Sequence, residues 1–420
     1  MNISKEFLKQ IIIEQRQSIL LKKPGITRTA LEQISSIISI PHVVVIKGLR
    51  RCGKSTLLRQ IIQKYYNDTE FYYINFEDER LINFPAESFS VILETQMELF
   101  GEKKTIFLDE IQQNKNFETY VRRLNDEGYK FFITGSNANL LSSEISTKLT
   151  GRHVDISLYP FSFNEYLKFK EIDIANESLY LPKGKAIIKN EFEIYLMNGG
   201  MPEYLNFQVD EIIYRIYEDI ILKDIAIRYG ITMVKPMREL YHYLISNICN
   251  LFSYRTLTRI TDIESSVTIK NYIHYLEQTF FITQVGKFDF SLKKQLANKK
   301  KIYIIDNAFF QKISFQFSGN KGWLLENLVA NELSKYGELF YYNEKYACDF
   351  IVKNNQSYEV YQIAFEFSDL NREREIKGLV EALNYLNIKE GIIITNDDEQ
   401  EINYKGYKIN IIPCWKWLLK

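Results

Sequence analysis

The segment Gly48-Leu49-Arg50-Arg51-Cys52-Gly53-Lys54-Ser55 constrains this chain more than any other. It has the spacing G-x-x-x-x-G-K-S, the phosphate-cradling loop known as Walker A. The glycines let the backbone curl so that its N–H groups face phosphate oxygens. The lysine reaches the β- and γ-phosphates, and the serine hydroxyl ligates magnesium. Both flanks fit. Before the loop, the β-branched run Val43-Val44-Val45-Ile46 reads as a buried parallel strand. After it, Leu57, Leu58, Ile61, Ile62 and Tyr65 recur at helical spacing. A helix beginning there aims the positive end of its dipole at the phosphates. Strand, loop and helix together predict a site for ATP and Mg2+, built from Gly48, Arg50, Arg51, Cys52, Gly53, Lys54, Ser55 and Thr56. Within the loop, Arg50 and Arg51 either hold acidic groups near the site or touch phosphate.

A nucleotide hydrolase needs a carboxylate on the metal side, at the end of a second buried strand. Thr105-Ile106-Phe107-Leu108-Asp109-Glu110 supplies one. Asp109 is placed to order magnesium with Ser55, and Glu110 to polarise the attacking water as general base. The next strand ends in Ile133-Thr134-Gly135-Ser136-Asn137, where Thr134, Ser136 or Asn137 can touch the γ-phosphate or the water. Ordinary turn chemistry is the competing explanation. Arg152, in Leu149-Thr150-Gly151-Arg152-His153, reads equally as a finger on the γ-phosphate, in this subunit or a neighbour, and as a structural partner for a carboxylate.

The rest of the chain sets bounds. Its 420 residues predict two or more domains. Lys+Arg and Asp+Glu are both 53, so no global field draws the chain to nucleic acid and any such contact is local. Cys52, Cys249, Cys348 and Cys414 form no C-x-x-C pair and are expected reduced, as in the cytosol. No apolar run approaches the roughly 18 residues that span a membrane. The N-terminal stretch reads as an amphipathic helix and lacks the features of a signal peptide. These properties predict a cytoplasmic protein with no membrane partner.

Composition and periodicity divide the chain into a helical arm (1–28), an alternating strand–helix domain (29–165), a helical segment (166–235), a unit of three helices and a hairpin suggesting a winged helix (236–317), and a small α/β unit (318–420). Strands are expected at 43–47, 71–76, 105–109, 130–134 and 154–158. Their alternation with helices implies a parallel sheet covered on both faces.

Gly48-Leu49-Arg50-Arg51-Cys52-Gly53-Lys54-Ser55-Thr56, Leu108-Asp109-Glu110-Ile111-Gln112, Ile133-Thr134-Gly135-Ser136-Asn137, Leu149-Thr150-Gly151-Arg152, Tyr159-Pro160-Phe161-Ser162-Phe163-Asn164-Glu165-Tyr166 and Gly199-Gly200-Met201-Pro202-Glu203-Tyr204 follow one another in a recognisable order. Together they resemble the prokaryotic AAA-type, archaeal-ATPase-like proteins that carry a C-terminal domain of unknown function. The resemblance implies an α/β P-loop domain with an AAA-type parallel sheet, a helical and winged-helix middle, and a small restriction-endonuclease-like α/β C-terminal domain. It also implies that Arg152 is the finger. If Arg152 acts in trans, the chain works as a homo-oligomer.

A nuclease of the restriction type needs a helix carboxylate, an aspartate on the first hairpin strand and Glu-x-Lys on the next. Here Glu326 lies on a predicted helix and Asp349 on a predicted strand, but Gln362 and Ala364 fall at the Glu and Lys positions. Glu359, three residues from Gln362, points to the opposite strand face. With the lysine missing, a fold that has lost catalysis and binds a partner is favoured over a magnesium nuclease using Glu326, Asp349 and Gln362. Lys293, Lys294, Lys299, Lys300 and Lys301 are expected on the wing, contacting DNA phosphates, against the alternatives of a solvated hairpin tip or a protein-binding module. The functional expectation is an ATP-hydrolysing protein whose nucleotide state repositions a DNA-binding or nuclease-like half. The rivals are an ATP-regulated nuclease, one version of which acts in defence against foreign DNA, and a slow ATP switch that binds a protein partner.

Overall fold

Five apolar strands, β1 (Val43–Lys47), β2 (Phe71–Asn75), β3 (Thr105–Asp109), β4 (Lys130–Gly135) and β5 (His153–Ser157), form a wholly parallel sheet in the spatial order β2-β3-β4-β1-β5. Each lies within one residue of its expected bounds. Burial of Val43–Ile46, Phe71–Ile74, Ile106–Leu108 and Phe131–Ile133 explains why these segments read as continuous apolar runs rather than alternating ones. The computed structural model describes residues 4–81, 84, 88–114, 116–136, 151–172, 181–315, 320–355 and 357–419. Asn137, Leu149 and Thr150 of the sequence motifs lie outside them.

The chain divides into two compact units, one of Met1–Tyr159 with Gln278–Phe280, the other of Pro160–Glu277 with Phe281–Lys420. In the first, the N-terminal helix Lys5–Leu21 sends Leu8, Ile11 and Ile12 into the same apolar core as Val43, Tyr72, Ile106 and Phe131. The expected separate arm over 1–28 is therefore part of the sheet domain. The amphipathic stripe that marks the helix is the stripe the core buries.

Within the second unit, helices Val234–Ser246, Tyr254–Thr258 and Ser266–Gln278 precede an antiparallel pair, β6 (Ile282–Lys287) and β7 (Lys300–Ile304). Three helices and an antiparallel pair follow one another in the expected order. Two features differ from the expectation. A short helix, Leu292–Ala297, fills the connection between the strands. In addition, β6 pairs in parallel with β8 (Glu338–Asn343) through Gly286–Phe340 and Lys287–Tyr341. That pairing joins the hairpin to β9 (Ala347–Asn354), β10 (Ser357–Ala364), β11 (Glu390–Thr395), β12 (Gln400–Tyr404) and β13 (Tyr407–Pro413). The result is one eight-stranded sheet in the order β12-β13-β11-β10-β9-β8-β6-β7. A domain boundary at 317/318 would cut that sheet, so the segments 236–317 and 318–420 share it. The helix Arg372–Leu386 packs Leu379 and Leu383 against Ile351, Val360, Ile393 and Ile409.

Candidate nucleotide-binding site

Because β4 lies between β1 and β3, the exits of all three strands meet at one edge of the sheet. The phosphate loop leaves β1 there and leads straight into the helix Lys54–Tyr65. Gly53, which caps that helix, has φ +103°, a conformation L side chains rarely adopt. At Gly48 the constraint is space, since a Cβ there would lie 2.1 Å from the Leu158 carbonyl oxygen. The Cys52 thiol donates to that same carbonyl at 3.4 Å. Burial pushes its pKa up, so Cys52 contributes its backbone to the loop and a small apolar filler beneath it. Arg28 supports the loop from outside the motif. Its guanidinium donates to the Cys52 carbonyl at 2.9 Å and to the Tyr159 carbonyl at 2.6 Å.

The Lys54 ammonium is buried among acceptors. It lies 3.2 Å from the Gly48 carbonyl, 3.1 Å from the Leu49 carbonyl and 3.2 Å from Glu110 Oε1. Burial works most strongly against its charge, but Glu110, with Cys52 and Asp109 nearby, holds its pKa above the ordinary value. Reciprocally, burial pushes the Glu110 carboxyl up, while Lys54 first, and Gln112 and Arg50 after it, bring its pKa below the usual range. Both groups are charged at neutral pH. Asp109 is fully buried, and desolvation followed by the Glu110 charge raises its pKa against hydrogen bonds from Thr134, Ser55 and Tyr73. Ser55 and Asp109 therefore stand side by side, as magnesium would require. Mg2+ typically takes one or two protein ligands and draws the rest from phosphate and water, which this donor pair suits.

Thr134 ties the two acidic residues together. Its hydroxyl donates to Asp109 Oδ1 at 2.5 Å and accepts the Glu110 N–H at 2.8 Å. Glu110 itself sits at φ +51°, left-handed for a residue with a side chain. Such a conformation costs about 1–3 kcal/mol and persists where surrounding contacts impose it. Ser136 just beyond β4 accepts a hydrogen bond from Gln112 at 3.2 Å, and Gln112 also donates to Glu110. Arg50 reaches Glu77 Oε1 at 3.0 Å, so it does hold an acidic group. Arg51 is exposed at φ +65°, and Thr56 is the third residue of the helix.

Arg152 lies elsewhere. Its carbonyl accepts the Val43 N–H at the start of β1, and its guanidinium pairs with Asp126 at the surface. The phosphate loop leaves the opposite end of β1, five residues or roughly 16 Å away. A finger acting on this subunit's own phosphate is excluded by that placement, because Arg152 is anchored at the wrong edge of the sheet.

In the second unit the predicted acidic residues do converge, with an unexpected companion. Lys301 on β7 points inward. Its Nζ lies 2.8 Å from Glu326 Oε1 and 3.4 Å from Asp349 Oδ1. Tyr303, two residues along on the same strand face, donates to Glu326 at 2.7 Å. Burial opposes the Lys301 charge, but Glu326 and then Asp349 outweigh it and raise its pKa; burial raises that of Glu326. Lys301 is thus corrected from a wing residue contacting phosphate to a buried counter-ion, its side chain 14 % exposed. Lys293, Lys294 and Lys299 remain exposed, and Lys300 is half-buried.

A lysine does stand at the acidic cluster, supplied by β7 rather than β10. With the Lys301 ammonium in place, magnesium nevertheless fits poorly there. Gln362 is occupied, accepting the Asp349 N–H at 3.3 Å and donating to Glu375 at 2.6 Å. Among the described residues no group of three or more His, Cys, Asp or Glu side chains is placed to hold a metal ion. Glu359 lies on the opposite face from Gln362, as the two-residue period requires, and accepts a hydrogen bond from Tyr361. All four cysteines are free and buried, and no described helix is long and apolar enough to cross a membrane.

Sequence reasoning missed Gln112, Tyr73, Arg28 and the inward turn of Lys301. The first stands in a quoted motif, two residues after Glu110. Nothing local in the sequence marks the others.

Residues 41–167 match the family model of an AAA domain, and residues 189–318 that of a domain of unknown function, DUF8612. An uncharacterized protein of Methanocaldococcus jannaschii, MJ1544, is 34 % identical over 99 % of this chain and 96 % of its own length. An uncharacterized protein of Haemophilus influenzae is 30 % identical over 93 % of this chain and 97 % of its own. Among solved structures, Aeropyrum pernix Orc1 in complex with DNA aligns at TM-score 0.29 and 11 % identity, covering 76 % of this chain and 98 % of that one. The Thermotoga maritima RuvB Holliday junction branch migration motor aligns at 0.26 and 13 %, covering 67 % and 89 %. Scores this low carry no weight beside the family match. An AAA domain seated on the Walker loop, in a chain that aligns over nearly its whole length with MJ1544, places this protein in the family of prokaryotic AAA-type P-loop ATPases that continue into a C-terminal domain of unknown function.

Proposed function

We propose that the chain hydrolyses ATP with magnesium and that nucleotide occupancy is transmitted to the segment following Tyr159. The observation that carries the hydrolysis is the charged Lys54–Glu110 pair beside Asp109 and Ser55, at the edge where three parallel strands end. Lys54 would bind the β- and γ-phosphates, Ser55 and Asp109 would hold the metal, and Glu110 would accept the proton of the attacking water. Magnesium, when bound, supplies charge neutralisation on the phosphates. Once phosphate oxygens replace Glu110 at Lys54, the carboxylate is released to act as base. Support for transmission comes from Arg28 and Leu158. The loop's underside rests on the Leu158 carbonyl, and Arg28 joins Cys52 to Tyr159, so a shift in the loop moves the end of this unit's chain.

Turnover of ATP by the full chain tests this. Lys54→Ala and Glu110→Gln should each abolish it, and unchanged hydrolysis in either would end the proposal. Action on DNA is the finer part of the reading. It rests on the exposed Lys293, Lys294 and Lys299 around the helix Leu292–Ala297. A binding titration across salt, with and without a non-hydrolysable nucleotide, should then give a slope near three, since each phosphate contact contributes about 0.9. A flat salt response would favour a protein partner instead. The nuclease alternative loses ground to the binding module, because the ammonium of Lys301 occupies the space between the two carboxylates a metal would need.

A further inference from the structure

We infer that Gln112 is a positioning residue for ATP hydrolysis, holding the attacking water against Glu110 and linking that carboxylate to Ser136. The inference rests on the hydrolytic reading above. Gln112 lies in the turn Ile111–Gln113 directly after Glu110 and is buried, with 7 % of its surface exposed. One amide nitrogen serves two partners. It donates to Glu110 Oε2 and to Ser136 Oγ at 3.2 Å. With both N–H groups spent, the remaining capacity of the side chain is its oxygen. That oxygen, Oε1, is buried and has no hydrogen-bond partner among the described residues.

A buried amide oxygen without a donor is costly. Oε1 is sealed from solvent in this state, so its donor enters only once phosphate draws Lys54 away from Glu110 and the side chains part. The donor that fits is water, which has two protons to give. In a water shared by Glu110 and Gln112, one O–H is aimed at the carboxylate, the other at Oε1, and the oxygen lone pair is left free for phosphorus. On attack the water oxygen bonds to the γ-phosphorus, its proton passes to the Glu110 carboxylate, and the bond between the γ-phosphorus and the bridging oxygen breaks with its electron pair left on ADP. The Ser136 contact adds a second consequence. Ser136 stands just beyond β4, between the strands of Lys54 and Asp109, so a γ-phosphate touching its hydroxyl would pull on Gln112 and through it on Glu110. The general base and the γ-phosphate contact are thereby coupled through one amide.

The test is the full chain carrying Gln112→Met, which keeps length and packing and removes both hydrogen-bonding functions. ATP turnover and the affinity for a fluorescent ADP analogue are measured together. Turnover should fall at least tenfold, a part of the roughly 10²–10⁴-fold that the proton acceptor itself contributes, while ADP affinity stays within threefold of wild type. Adding Ser136→Ala to Gln112→Met should cost less than the product of the two single changes, since the two share one hydrogen bond. Turnover within threefold of wild type overturns the inference, as does a loss of affinity equal to the loss of turnover, because a packing role would give either. A wild-type chain that turns over no ATP sinks the hydrolytic reading and this one with it. Active wild type, inactive Lys54→Ala and active Gln112→Met sink this one alone.

Discussion

Replacing Lys301 by Met should destabilise the second unit and make its stability depend on magnesium. The ammonium is 2.8 Å from Glu326 and 3.4 Å from Asp349, and the three side chains are only 14–15 % exposed. At an effective dielectric of about 20, those attractions are roughly 6 and 5 kcal/mol before desolvation and carboxylate repulsion are subtracted. Removing one partner of such a cluster while leaving the others buried costs about 3–5 kcal/mol. Urea unfolding followed by circular dichroism, without nucleotide and with Asp109→Asn in every background to silence the phosphate-loop site, reads the effect. Lys301→Met should lower the unfolding free energy by about 3–5 kcal/mol, and Glu326→Gln in the same chain should restore at least half of that. Millimolar magnesium should stabilise Lys301→Met and leave the Lys301 chain unchanged. A cost below about 1 kcal/mol, or equal stabilisation of both chains by magnesium, would refute the picture of an internal ammonium standing in for a metal.

Two further outcomes follow from placement. Asp306 is buried, accepts the N–H groups of Gly200 at 2.6 Å and Ala308 at 2.9 Å, and has its carboxyl pushed up to about 7 by burial. Because the folded pKa is raised, the stability it contributes is complete below pH 3.8 and is lost as pH rises toward 7; between pH 5 and 7 the loss should be about 2–3 kcal/mol, and Asp306→Asn should flatten that slope in urea titrations. Arg152, paired with Asp126 at the surface, should contribute under about 1 kcal/mol to stability. Any effect of Arg152→Ala on ATP turnover should therefore appear only where chains associate, and a loss in a chain shown to be monomeric would refute a role in trans.

The parallel sheet was legible because its information is local. A β-branched run, a glycine loop and a helical repeat adjoin one another around Gly48–Ser55, and each strand of the sheet carries its burial in its own composition. Asp109 and Glu110 could be read for the same reason, since they end an apolar strand. The eight-stranded sheet was harder. Its hairpin and its C-terminal strands are joined by two residue pairs, Gly286–Phe340 and Lys287–Tyr341, between strands more than fifty residues apart, and no pattern within either strand records that pairing. The strands β12 and β13 form a tight antiparallel pair around Lys405 and Gly406, both at positive φ, within the stretch the sequence marks only as part of a small α/β unit.

Lys301 shows why side-chain chemistry escapes a linear reading where backbone structure does not. In Asn298-Lys299-Lys300-Lys301 the three cations look alike, and a lysine run is ordinarily a solvated face. Strand geometry separates them. Alternation along β7 turns Lys301 and Tyr303 to the same side, and the acids that receive them come from a helix 25 residues on and a strand 48 residues on. The same contrast separates Lys54 from Lys301. Lys54 is held by two carbonyls and one carboxylate that has a second role to take up, so an incoming phosphate can displace its partners and be rewarded with a freed base. Lys301 is held by two carboxylates, so an anionic ligand that displaced it would strip both buried acids of their ammonium partner. A buried lysine is thus poised for ligand exchange in the first unit and locked in the second, and the difference lies wholly in what its partners can do once it lets go.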